Sequence, residues 1–319
     1  MKVLFLLALV SSLSMAEMLE RTQMLMGTFA TITLPQENNK ELQKSFEILR
    51  SVERSLSSYD LEADIYRLNH DREASITPYS HAAFVLSQRY YQESDGYFDI
   101  TIGSITKELY RFGEEERSVS RDELRKANVG FSGLHFNAKK AYLDSAITVD
   151  LGGMGKGFGV DKVAVYLKEQ NITQGRVALS GDIRCLDICK MAIQNPFAEG
   201  EVATFTTKEA DTAISTSGNY RRYIKDKSQN HLIDPKRKLA QQVFASITLL
   251  SHGANSDIDA YATAASVMPL EKAIMFLDSL DVGYVLITNG GNQYINDDLD
   301  TFVEGLRFSK RVPFECETE

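Results

Sequence analysis

Val149-Asp150-Leu151-Gly152-Gly153-Met154-Gly155-Lys156-Gly157-Phe158-Gly159-Val160-Asp161 places five glycines within eight positions. An apolar run (Ile147, Val149, Leu151) precedes them and an amphipathic run (Val160, Val163, Ala164, Leu167) follows. The pattern predicts a strand, a glycine-rich turn and then a helix. Glycine lets a backbone approach a ligand closely, and the unpaired N–H groups that open a helix attract an anion. Lys156 adds a positive charge at the same place. A nucleotide diphosphate is the ligand that such a turn fits best. The segment is not a P-loop, because no Gly-Lys-Ser/Thr stands at the required spacing. It also lacks the strand–helix–strand run with an acidic strand end that a dinucleotide fingerprint requires. Spacing alone leaves a phosphate site and a plain tight turn both open.

Working outward, the periodicity predicts strands at 27–34, 134–136, 146–151, 175–179, 190–193, 202–207, 212–217, 231–233, 243–250, 282–288 and 293–295. Helices are expected at 39–56, 64–69, 79–94, 121–127, 157–169, 257–267 and 270–278. Strands come in groups rather than alternating with helices. That favours an α+β fold with a mostly antiparallel sheet and flanking helices. No repeat or low-complexity linker divides the chain, so residues 17–319 are expected to form a single domain, with a frayed tail from Lys310.

The 319 residues are 43% apolar, enough for a substantial core. The net charge of −9, with no long basic cluster, argues against nucleic acid or an anionic membrane surface as the main partner. Residues 1–16 read as a secretory signal peptide: Lys2, an apolar stretch from Val3 to Val10, and Ser14-Met15-Ala16 before Glu17. The apolar stretch is too short to span a bilayer, so no transmembrane span is expected. No cysteine follows the cleavage site to take a lipid anchor. The expected location is periplasmic; the rival is an uncleaved N-terminal anchor. Of Cys185, Cys189 and Cys316, the first two are close enough to bridge across a hairpin. Their spacing is not a redox CxxC, and they read as small core residues or one local disulfide.

Four clusters carry chemistry. Asp259 and Thr263 are four apart and share one helical face. With main-chain carbonyls they make an oxygen-only set suited to Mg²⁺, though the same pair is ordinary at a helix start. His231, ahead of Asp234-Pro235, can serve as a general base or simply precede a turn. Ser215-Thr216-Ser217-Gly218-Asn219-Tyr220 can line a polar ligand or end a strand. Met24 to Thr28, Ser57-Ser58-Tyr59 and Gly96 to Thr101 place aromatics at turns, where they can stack on a flat ring or pack in the core.

In this order, the set resembles the ApbE family of FAD:protein FMN transferases, over roughly Met26 to Leu280. The pieces are Met26-Gly27-Thr28, Ser57-Ser58-Tyr59, Phe98-Asp99, Asp150 to Gly157, Ser215 to Gly218, His231 to Pro235, and Asp259 with Ala262-Thr263. The resemblance implies an exported, Mg²⁺-dependent enzyme that splits FAD, passes FMN to a Thr or Ser hydroxyl of a target flavoprotein and releases AMP. It implies that Met26, Tyr59, Tyr97, Phe98, Asp99, Gly152, Lys156, Phe158 and Ile233 hold FAD. Asp259, Thr263 and the carbonyls of Gly155 and Ala262 would ligate Mg²⁺, with His231 as the base. A hydrolase giving FMN and AMP, or a non-catalytic FAD carrier, is compatible with the same motifs. The chain departs from the family pattern at Ser180-Gly181-Asp182 (often two glycines before the acid), Gly155 (commonly alanine), Ala63 (frequently serine) and Lys236-Arg237-Lys238 (in place of a Thr-Gly turn).

Overall fold

β1 (Met18–Leu25), β2 (Thr28–Pro35), β3 (Arg176–Leu179), β4 (Asp182–Cys185), β5 (Thr212–Gly218), β6 (Phe244–Ser251), β7 (Gly283–Thr288) and β8 (Gln293–Ile295) lie side by side in chain order. Each neighbouring pair is antiparallel. This is the expected α+β architecture. The computed structural model describes residues 17–309. The expected signal peptide, the expected frayed tail and Cys316 lie outside the described residues.

Five helices matter most: α1 (Asn39–Leu56), α2 (Pro78–Glu93), α3 (Gly155–Glu169), α4 (Asn255–Ser266) and α5 (Leu270–Asp278). The apolar stripe of α1 buries Leu42, Phe46 and Leu49. Together with Val160, Val163 and Leu167 of α3, these cover Ala30, Ile32, Leu34, Val177 and Leu179 of the sheet. α4 packs against both α3 and the β5–β6 strands. The sheet therefore carries a helical layer in which α3 is held between α1 and α4. Smaller two- and three-stranded sheets hang on the connections. One of them is joined to the end of β4 by a Cys185–Cys189 disulfide, the local bridge that the spacing permitted.

Most expected elements are present, with instructive exceptions. Residues 146–151 do not form a strand; they make only an isolated bridge between Ile102 and Thr148. Side chains take the place of a partner strand there. Asn69 bonds both the N–H (2.8 Å) and the carbonyl (2.9 Å) of Val149, and Ser104 accepts from Thr148 N–H (3.0 Å). β1, β4 and the Val303–Phe308 strand were not anticipated. β1 is mostly exposed and carries its apolar residues in pairs at its two ends, so it shows little alternation. The helix after the glycines starts at Gly155 rather than 157, so two of the glycines stand in its first turn.

One of these glycines is obligatory. A Cβ at Gly157 would lie 2.5 Å from the Asn255 carbonyl oxygen and 2.9 Å from Asp259 Cβ. The start of α3 thus touches the start of α4 backbone to backbone. Gly155 is different: a Cβ there would meet only Met26 Cε, at 3.9 Å. Gly157→Ala is expected to destabilise the protein by about 1–3 kcal/mol through this clash. Gly155→Ala is expected to be neutral or to stabilise by up to about 1 kcal/mol, from lower backbone entropy in the unfolded chain. Urea unfolding of both variants checks the contrast; equal effects would contradict it.

Candidate active site

Where α3 and α4 touch, three charged side chains converge. Lys156 Nζ lies 2.8 Å from Asp182 Oδ2 and 3.2 Å from both carboxylate oxygens of Asp259. Asp259 Oδ2 also accepts the Gly157 N–H at 3.0 Å. Asp182, from the β3–β4 hairpin, accepts the Ser215 hydroxyl at 2.6 Å. Both carboxylates are almost wholly buried. Burial and the neighbouring Asp182 push Asp259 up, against the pull of Lys156. Burial works against the Lys156 ammonium, but Asp182 and Asp259 outweigh it and raise its affinity for the proton. Two carboxylates and one ammonium leave an unbalanced negative charge in a poorly solvated place, which a cation would relieve.

Of the expected Mg²⁺ ligands, Asp259 stands in this cluster. Thr263 stands one turn from Asp259 on α4, and its hydroxyl donates to the Gly153 carbonyl at 3.2 Å, on the glycine segment. Gly155 opens α3 beside Lys156, and Ala262 precedes Thr263 in α4. Among the described residues no cluster of three or more His, Cys, Asp and Glu is arranged to hold a metal. Asp259 and Thr263 with main-chain oxygens would make an oxygen-only donor set of the kind Mg²⁺ takes.

His231 lies just before the two-residue strand Ile233–Asp234, rather than at its start. Its Nδ1 is 3.1 Å from the Arg222 carbonyl, which can only accept, so Nδ1 carries the proton and Nε2 keeps its lone pair. Burial, then the Arg222 and Lys156 charges, lower its pKa to about 4. The imidazole is thus neutral at pH 7, as a general base must be. Asp150 lies within electrostatic reach of it. Asp150 accepts the Gly152 N–H (2.9 Å) and the Thr106 hydroxyl (2.7 Å). Burial opposes its charge, yet Lys107 and these hydrogen bonds hold it below the usual carboxylate range.

The expected flavin-holding residues divide into two groups. Met26, Tyr59, Tyr97, Gly152 and Lys156 are at least partly exposed. Met26 tops the β1–β2 hairpin at φ 54°, with its N–H bonded to Glu53 Oε1 at 2.6 Å, and its thioether reaches toward Gly155 and Gly159. Tyr97 lies under two ammonium groups, Lys236 at 4.3 Å and Lys272 at 4.7 Å. Phe98, Asp99, Phe158 and Ile233 are buried. Phe98 packs edge-on against Tyr90, Phe158 packs against Tyr79, and Ile233 joins the cluster around Tyr110 and Phe112. Asp99 accepts both the N–H and the hydroxyl of Thr101. These four side chains are taken up by internal packing and hydrogen bonds. The Asp150 N–H donates to the Ile100 carbonyl at 2.7 Å, tying the Tyr97–Thr101 loop to the glycine segment.

Two departures from the family pattern now have a structural setting. Ser180 sits at φ 56° in the β3–β4 turn, a conformation that glycine adopts freely. Lys238, also at φ 56°, ends the turn after Asp234-Pro235, and its ammonium binds the Ala127 carbonyl at 2.7 Å. Asp234 closes that turn by accepting the Lys236 and Arg237 N–H groups. Ala63 is fully buried just before the Asp64–Asp71 helix, and nothing in its surroundings assigns it a role in the site. Asp182, Lys107 and Arg222 were not singled out beforehand as site residues. Asp182 follows a strand and a turn, an available signal. Lys107 and Arg222 sit in segments with no motif of their own.

A mostly antiparallel sheet that presents a buried acid pair, a lysine at a glycine-rich helix start and a neutral histidine defines the class, and sequence comparison supplies the family. The ApbE family model matches residues 26–286, and the chain belongs to that family. The FAD:protein FMN transferase of Haemophilus influenzae is 29% identical over 279 residues, covering 80% of each chain. That of Vibrio cholerae is 27% identical over 307 residues, covering 87% of this chain and 90% of the other. Among solved structures, the flavin transferase ApbE from Vibrio cholerae superposes with a TM-score of 0.78 at 24% identity, over 90% of this chain and 99% of that one. The ApbE protein from Thermotoga maritima superposes at 0.82 with 18% identity, over 90% and 100%.

The His231 environment has a thermodynamic signature. Its folded-state pKa of about 4 lies below the ordinary value of 6.5, so between these values the unfolded chain binds the extra proton. Stability is expected to fall as pH drops from about 6.5 to 4, and to fall less in His231→Gln. Urea midpoints at several pH values check this; parallel pH profiles would contradict it.

Proposed function

We propose that this protein is a Mg²⁺-dependent transferase that moves FMN from FAD to a Thr or Ser hydroxyl of a target flavoprotein outside the cytoplasm, releasing AMP. The single observation that carries the reading is the meeting of Lys156, Asp182 and Asp259 at the glycine-opened start of α3, within electrostatic reach of a neutral His231. The membership of the chain in the ApbE family and the names of its relatives support it. Asp259, Thr263 and the Gly155 and Ala262 carbonyls would hold Mg²⁺. When bound, the ion supplies positive charge to the phosphate oxygens.

The chain's own residues do the rest. Lys156 stays protonated between its two carboxylates, and its ammonium would face the phosphate. Phosphoryl transfer needs positioning and charge neutralisation more than covalent help from the protein. The acceptor oxygen forms a bond to the FMN phosphorus. The anhydride bond to the adenylate phosphate breaks, and AMP leaves with that electron pair. The hydroxyl proton passes to His231 Nε2, a step typically contributing about 10²–10⁴-fold. Negative phosphates beside His231 raise its basicity above that of the ligand-free protein. Export from the cytoplasm rests on the leader sequence and accords with the Cys185–Cys189 disulfide, a bond that persists in oxidising compartments.

Incubation with FAD, Mg²⁺ and an acceptor flavoprotein is expected to yield covalently yellow acceptor with an FMN-sized mass increase on Thr or Ser. Free FMN alone would assign a hydrolase, and intact FAD a carrier. Asp259→Ala is expected to abolish transfer while the fold survives; transfer at the parent rate would refute the metal assignment. His231→Asn is expected to slow transfer by about 10²-fold or more with FAD binding retained.

A further inference from the structure

The chain folds back on itself just before His231. The Ile224 N–H donates to the Gln229 carbonyl at 3.1 Å, Tyr223 bridges Asn230, and the His231 N–H donates to the Arg222 carbonyl at 3.3 Å. His231 therefore stands at the root of a small hairpin spanning 222–231. Two buried residues fix that hairpin in place. Ile224 joins the apolar cluster of Tyr110, Phe112 and Ile233, and Asn230 donates to the Lys227 and Gln241 carbonyls, both at 2.8 Å.

Its outer surface is basic. Arg221, Arg222, Lys225 and Lys227 are all exposed and face a single acid in the same stretch, Asp226, in a chain whose net charge is −9. Arg222 turns to Tyr59 and Phe112 beside the base. The other three point elsewhere or are left to solvent. Arg221 meets the neutral Gln194 amide, and Lys227 lies 5.9 Å over the Phe197 ring. Among the described residues, none of Arg221, Lys225 and Lys227 forms an ion pair. Asp226 accepts the Ser228 N–H at 2.8 Å, and the acidic run at 114–116 is engaged by Arg111 and the Gly113 N–H. Tyr223, 40% exposed, adds an aromatic ring to the same hairpin.

We propose that Arg221, Lys225 and Lys227, with Tyr223, form the surface on which an acidic segment of the acceptor flavoprotein docks beside its reactive Thr or Ser. This inference rests on the transferase reading above. The side chain of Thr or Ser is short, so an acceptor hydroxyl can reach His231 Nε2 only if the acceptor backbone passes close by. The residues flanking that hydroxyl must then lie on the surface next to the base, and the hairpin is the part of that surface rooted in His231 itself. A protein of net charge −9 repels an acidic partner over most of its surface, so an unpaired basic hairpin beside the base steers and orients such a segment. The same net charge disfavours an anionic membrane as the occupant.

The test is the initial rate of flavinylation as a function of acceptor concentration, with saturating FAD and Mg²⁺. It compares the parent with Arg221→Glu/Lys227→Glu and with Lys225→Glu. A second acceptor, with the carboxylates flanking its reactive hydroxyl changed to amides, is run alongside, and FAD affinity is read by flavin fluorescence. Charges at the rim of an interface act mainly on association, so kcat/KM for the acceptor is expected to fall by about 10-fold in the double variant and about 3-fold in the single one, with FAD affinity unchanged. The loss is expected to shrink at high salt and to vanish with the amide-bearing acceptor. Unchanged kcat/KM in both variants, an equal loss with the amide-bearing acceptor, or a parallel loss of FAD affinity would overturn the docking surface while leaving the transferase reading standing. So would sedimentation of the parent, but not the double variant, with phosphatidylglycerol vesicles when acceptor kinetics are unchanged. A parent protein that flavinylates neither acceptor would overturn the transferase reading, and the docking surface with it.

Discussion

The contact on which the site depends is the one between the first turns of α3 and α4. It exists because residue 157 has no side chain: the Asn255 carbonyl occupies the space a Cβ would take. At that separation the Gly157 N–H, one of the unpaired donors at a helix start, reaches the Asp259 carboxylate. Lys156, one residue earlier, falls between Asp259 and Asp182. The sheet contributes the third member through the β3–β4 hairpin and the supporting Ser215 of β5. Sheet and both helices therefore converge on a few ångströms of space.

Such a cluster is costly. Each buried ion forfeits several kcal/mol of hydration, and two carboxylates against one ammonium leave the arrangement incompletely compensated. Perturbed groups of this kind concentrate where a protein binds charge or moves protons. The Asp259 proton affinity is raised and the His231 proton affinity lowered in one neighbourhood. A divalent cation would satisfy the first, and a diphosphate would reverse part of the second.

Much of this was legible in the residues. The 3.6-residue stripe of α1 and the limits of α5 follow from apolar spacing alone, because each helix buries one face, α1 against β2 and α3 and α5 against α4. The ordered motifs brought Lys156, Asp259, Thr263 and His231 forward as candidates, and the fold gathers Lys156, Asp259 and Thr263 at the α3–α4 contact while leaving His231 in their field. Residues 146–151 misled because side-chain amides and hydroxyls, not a neighbouring strand, satisfy their backbone. β1 was missed because it buries only Leu25, at its end, while its partner β2 supplies the rest of the burial on that edge. Asp182 had a signal in the strand and turn before it, whereas Lys107 and Arg222 acquire meaning only from what the fold places beside them.

The central claim is that Asp259 and the start of α3 hold a divalent ion against the dinucleotide's phosphates. Crystals soaked with Mn²⁺ and FAD test it most directly through the anomalous signal of the metal. The account predicts one strong peak within bonding distance of the Asp259 carboxylate and the Thr263 hydroxyl, touching a phosphate oxygen. Bound flavin dinucleotide with no peak there, or with the peak elsewhere, would contradict it.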